Sequence, residues 1–137
     1  GTIFGTSAGI RFHTAVNKFC WQASCNIPIT VWRQNINYLR PYLGLDDAKN
    51  VVEFFINSQA GLNNIYNIVS CNMKLSDIIS LIQKEKPTIE VNPVDTPLLN
   101  QFSYEVSTDK IKDLGFEFAD CIQYNIQNTM RMLSGIK

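Results

Sequence analysis

The sequence predicts an α/β domain, a small mixed sheet with flanking helices, on three observations. Short runs rich in β-branched and aromatic residues, Ile27-Pro28-Ile29-Thr30-Val31-Trp32 and Arg40-Pro41-Tyr42-Leu43-Gly44-Leu45, read as strands. Between such runs, apolar residues recur at spacings of three and four, the signature of amphipathic helices. The two kinds of segment alternate along 137 residues, a length that suits one domain with a sizeable core.

Taken in order, Gly1-Thr2-Ile3-Phe4-Gly5 reads as a first strand and residues 6–10 as a Gly- and Ser-containing loop. Phe12, Val16, Phe19 and Ala23 then place a helix from about His13 to Ser24, with Thr14 positioned to cap it. The two strands named above follow. Asp46 and Asp47 open a second helix at its positive end, and Ala48, Val51, Val52 and Phe55 share one of its faces until Ala60-Gly61. Ile65–Val69 reads as a strand. Leu75, Ile78, Ile79 and Ile82 stripe a helix that Pro87 cannot continue, and Thr88–Val94 returns as a strand. Phe102, Tyr104 and Val106 alternate as a short half-buried strand. Ser107 or Thr108 opens a short helix that Gly115 can end, and Ala119, Ile122, Ile126, Met130 and Leu133 form the last helix.

Composition bounds the function. Lys plus Arg equal Asp plus Glu at 12 each with no basic run, so the electrostatic footprint of a nucleic-acid binder is missing. No apolar run approaches a membrane span and no tripartite leader pattern is present, which predicts a cytoplasmic protein with no membrane partner. Cys20, Cys25, Cys71 and Cys121 match no secreted disulfide framework and are expected as thiols. Cys20 and Cys25 lie about 140° apart around a helix axis, and His13 is the lone histidine without a partner at ligand spacing, so no metal is expected. Charged residues make up 18% of the chain, below the roughly 25% of an average soluble domain, which predicts apolar surface normally covered by something else or by self-association into a homo-oligomer. The chain opens at Gly1 directly inside a strand, and a piece of a longer protein is expected.

Arg40 is the cation that the pattern singles out. A guanidinium rooted in a strand is held rigidly and suits a phosphate or carboxylate, although Asp46, Asp47 or another acid could also pair with it. The residues around it carry a resemblance. Ala23-Ser24-Cys25-Asn26-Ile27-Pro28-Ile29-Thr30-Val31-Trp32, the Arg40-x6-Asp47-Ala48 spacing, Tyr66-Asn67-Ile68, and Asp109-Lys110 with Leu114-Gly115-Phe116 together resemble the C-terminal substrate-binding portion of the extended short-chain dehydrogenase/reductase family. These are the NAD-dependent epimerases and dehydratases that act mostly on nucleotide sugars.

The resemblance implies a Rossmann-type parent with NAD(P) bound outside this chain. It implies that Arg40 reaches the substrate diphosphate, that Thr2 stands where the family usually has a substrate-holding Asn, and that Asn17, off the apolar stripe of its helix, faces the cleft. Trp32 would stack on a base or sugar ring. Where the family carries an Arg, this chain has only Asn100 and Gln101 as polar replacements. It also lacks the Gly-rich pyrophosphate turn, and none of its five tyrosines has Lys four positions on, so no catalytic residue is expected in it. Two functions stay open: the substrate-binding domain of an NAD-dependent nucleotide-sugar epimerase/dehydratase whose dinucleotide-binding domain is absent from residues 1–137, or a noncatalytic binding or regulatory protein that retains the fold.

Overall fold

A computed structural model of the chain describes residues 1–58, 61–95 and 102–135. Among the described residues eleven elements follow one another: β1 (Thr2–Phe4), α1 (Ala15–Ser24), β2 (Ile29–Trp32), a 3-10 turn (Arg33–Asn35), β3 (Leu39–Gly44), α2 (Leu45–Ser58), β4 (Cys71–Lys74), α3 (Leu75–Glu85), β5 (Val91–Val94), α4 (Asp109–Lys112) and α5 (Ile122–Leu133). The class is α/β, as the alternation predicts. The strands divide between two small sheets. β3 is central in one, parallel to β1 (Thr2 beside Tyr42) and antiparallel to β4 (Leu39 beside Lys74); β2 and β5 form a separate parallel pair, with Ile29 beside Val91.

Local chemistry explains where elements stop. α1 ends in a Schellman motif: Ile27 N–H donates to Gln22 O at 2.8 Å and Asn26 N–H to Ala23 O at 3.2 Å, with Asn26 left-handed at φ 57°. Asn is among the few residues with a side chain that tolerate this conformation. Thr14 occupies the N-cap position in an extended conformation, but its hydroxyl donates to Arg11 O at 3.4 Å instead of capping.

Two expected strands are not strands. Residues 65–69 are irregular, and the bond from the Gly1 amine to Ile68 O, at 3.4 Å, is too little to make a ladder. Residues 102–106 run beside β3 and β4, but their partners are largely side chains: Ser103 Oγ accepts from Leu39 N–H at 3.0 Å, and the Asn72 amide exchanges two 3.0 Å bonds with the backbone of Val106. A side-chain amide has imitated a neighbouring strand.

The main core lies where α1, α3 and α5 cover the sheets, with Phe4, Val16, Phe19, Ile29, Tyr42, Ile78, Ile82 and Ile126 buried together. A smaller aromatic cluster forms under α2 around Val51, Ile111 and Phe116, with Phe54 and Phe55 packed against it. Of the face expected on α2, Val51 is buried and Ala48 and Phe55 are half-buried, while Val52 points outward. Val52 and Ile56 are exposed, whereas Leu43 of β3 is buried.

Candidate functional site

Arg40 sits near the start of β3, where its backbone is paired with Met73 of β4. Its head is fixed as well. Nη1 donates to Leu39 O at 2.9 Å and to Phe102 O, and the guanidinium lies 5.6 Å from the ring centre of Tyr38 and 5.2 Å from that of Tyr104. The acids that follow it in sequence are engaged elsewhere. Asp46 accepts from Lys49 Nζ at 3.0 Å, and the fully buried Asp47 accepts from Ser70 Oγ at 2.5 Å, Ala119 N–H at 2.9 Å and Asp120 N–H at 3.2 Å.

Arg40, Thr2 and Trp32 line one cavity of about 720 Å³. Thr2 comes from β1, Trp32 from the end of β2 and Arg40 from β3, so chain segments far apart in sequence meet there. α1 adds Lys18 and Phe19, and the segment after Phe102 adds the rings of Phe102 and Tyr104. Among the described residues that line it there is no Asp or Glu. A second cavity, of about 590 Å³, is mixed in charge, with both Lys112 and Glu117 in its wall. The charge in the first cavity is all of one sign.

Asn17 is not among the residues lining that cavity. Its side chain is buried, and Oδ1 accepts from the N–H of Gly5, which has φ 122° and so occupies backbone space that a side chain would strain. Asn100 and Gln101 lie outside the described residues. Lys18 escaped the sequence reading. The signal was present, since Lys18 follows Thr14 by one helical turn and both line the cavity, but nothing local distinguishes that face of α1 from a solvated one.

Burial pushes the Tyr42 phenol up to about 12, with the nearby Arg40 charge only partly opposing the shift. Near neutral pH this cavity residue is a neutral phenol that can exchange hydrogen bonds, and it is no base. Among the described residues no three His, Cys, Asp or Glu side chains converge as metal ligands, and no helix is long and apolar enough to cross a membrane. The residues present do not fit a dinucleotide. Gly5 and Gly9 after β1 do not make a Gly-x-Gly-x-x-Gly turn, and the Gly5 N–H already donates to Asn17 Oδ1.

No family model matches the chain. The UDP-sulfoquinovose synthase of Spinacia oleracea chloroplasts is 28% identical over 114 residues, which cover 77% of this chain and 23% of that protein. Among solved structures, the UDP-glucuronic acid 4-epimerase of Bacillus cereus, in complex with UDP-glucuronic acid and NAD, superposes with a TM-score of 0.84 at 14% identity. It is matched over 99% of this chain and 44% of its own. The NAD-dependent NDP-hexosamine 5,6-dehydratase TunA gives a TM-score of 0.83 at 18% identity, with the same coverage of 99% and 44%. The chain thus spans less than half the length of the proteins it matches. Over nearly all its residues the chain shares the fold of part of these NAD-dependent enzymes.

Proposed function

We propose that this chain forms the substrate-binding domain of an NAD-dependent nucleotide-sugar epimerase or dehydratase. The observation that carries the reading is the composition of the 720 Å³ cavity: Lys18 and Arg40, the rings of Phe19, Trp32, Tyr42, Phe102 and Tyr104, and no acid among the described residues. A nucleotide sugar asks for cations at its phosphates, aromatic faces for its rings and hydroxyl partners for its sugar. The volume falls within the 300–1,000 Å³ range of ordinary ligand sites. In this reading Arg40 meets the diphosphate, Trp32 stacks on a ring, and Thr2 bonds to the sugar. Asn17 serves the site indirectly by holding the Gly5 turn, and Asn100 and Gln101 stay assigned to the substrate by resemblance alone. UDP-glucuronic acid is bound to the similar epimerase of Bacillus cereus, which supports the substrate class.

These residues bind and orient; hydride and proton transfer belong to NAD(P) and to groups outside residues 1–137. Titration of the intact protein with UDP-glucose and with UDP-glucuronic acid, followed by tryptophan fluorescence and nicotinamide absorbance, tests this. Saturable binding is expected, and Arg40→Ala should weaken it by about 2 kcal/mol, roughly thirtyfold, as for loss of a charge-assisted bond. Absence of a saturable response to either nucleotide sugar overturns the reading. Tight binding with no nicotinamide change when NAD is present would favour the noncatalytic alternative.

A further inference from the structure

Lys18 lines the same cavity as Arg40 and enters it from a different element, α1 rather than β3. Its side chain is half-buried, and among the described residues no acid or carbonyl oxygen bonds to its ammonium group. Its placement is unfavourable for the unliganded protein. Lys18 is the fourth residue of α1, where a cation opposes the helix dipole, and no acidic residue in that first turn offsets it. Lys18 also shares with a second fixed cation a cavity whose described lining residues include no acid. Two like charges with no intervening acid raise the potential of the cavity and are relieved when an anion enters.

We infer that Lys18 is a specificity-determining residue, the second cation for the phosphate groups of the ligand. The inference rests on the nucleotide-sugar reading of the cavity and deepens it. Arg40 directs Nη1 at two backbone carbonyls, so its role is to present a fixed charge from one wall. Lys18, on a flexible four-carbon stem, supplies a mobile charge from the other wall. A diphosphate, with charge on two adjacent groups, matches two cations approaching from separate elements.

The experiment compares the intact wild-type protein with Lys18→Gln and Lys18→Arg, using four probes: UDP-glucose, UDP-glucuronic acid, inorganic pyrophosphate and uridine. Lys18→Gln is expected to weaken UDP-glucose and pyrophosphate about tenfold, as for losing one charge-assisted contact. It should leave uridine unchanged, and Lys18→Arg should restore most of the loss. Raising the salt concentration should weaken the wild type more steeply than Lys18→Gln. Equal UDP-glucose affinity in wild type and Lys18→Gln overturns the inference and leaves the nucleotide-sugar reading standing. A Lys18→Gln defect confined to UDP-glucuronic acid also overturns it, because Lys18 would then serve the sugar carboxylate. Pyrophosphate binding that depends on Lys18, without binding of either nucleotide sugar, upholds the second cation and sinks the nucleotide-sugar reading. Failure of the wild type to bind any anionic probe sinks both.

Discussion

Asp47 shows how a sequence signature acquires its physical reason. Its spacing from Arg40 was legible in the chain, and the obvious roles were a helix-end charge or a partner for that arginine. It does sit in the first turn of α2, but it is buried there and receives Ser70 Oγ and the N–H groups of Ala119 and Asp120, while Asp120 returns a carboxylate oxygen to Asp47 N–H at 2.8 Å. The two acids cap each other's segments and lock the start of α2 to the approach of α5. Gly44 is part of the same joint, since a Cβ there would come within 1.9 Å of Asp120 Oδ2. Asp47→Asn replaces an acceptor with a donor facing donors, and we expect it to lower stability by about 2–3 kcal/mol. Urea denaturation monitored by circular dichroism measures this, and an unchanged midpoint would refute the clamp. None of it could be read in advance, because the partners lie at positions 70, 119 and 120, and nothing near Asp47 announces them.

Helices were more legible than strands because their evidence is local. The 3.6-residue period of α3 and the breaker at Pro87 lie within one segment, and Ile78, Ile79 and Ile82 are all buried as that period predicts. A strand needs a neighbour, and the neighbour is not in the window. Residues 65–69 and 102–106 have strand-like composition but find no full ladder, so they stay irregular. α2 was misjudged for a related reason: Val51 and Val52 are equally apolar, and only the aromatic cluster under the helix decides which of them turns inward. The end of α1 offers a test at this scale. Asn26 adopts φ 57° at the residue where glycine carries no side-chain penalty. Asn26→Gly should therefore raise stability by a few tenths to about 1 kcal/mol, seen as a higher thermal midpoint; a lower midpoint would mean that the Asn side chain matters more than its backbone strain.

Across the whole molecule, two cores of unequal size leave much apolar surface outside, including Val52, Ile56, Ile65 and Phe102, as the low charged fraction predicts. The main core also sets the alkaline limit of stability. Burial pushes the thiols of Cys20 up to about 12 and Cys71 up to about 11, and the Tyr42 phenol up to about 12. In the unfolded chain these groups lose protons from about pH 9 upward, while the folded chain still holds them. Their contribution is thus complete below pH 9 and is lost as pH rises toward 11 or 12, by about 1.4 kcal/mol per pH unit for each group ionised only in the unfolded state. Urea midpoints should fall between pH 8 and pH 10.5, and Cys20→Ala should flatten the fall; a flat wild-type profile would refute the assignment. By itself the sequence determined the α/β alternation, the strand-borne Arg40 and the lack of a Tyr-x-x-x-Lys pair, because periodicity and spacing are properties of neighbouring residues. Only the tertiary structure decided that Thr2, Lys18, Trp32 and Arg40 share one cavity with no acid among its described lining residues, and that Asn17 and Asp47 hold the backbone, because such walls are assembled from element ends that meet only after the chain has packed.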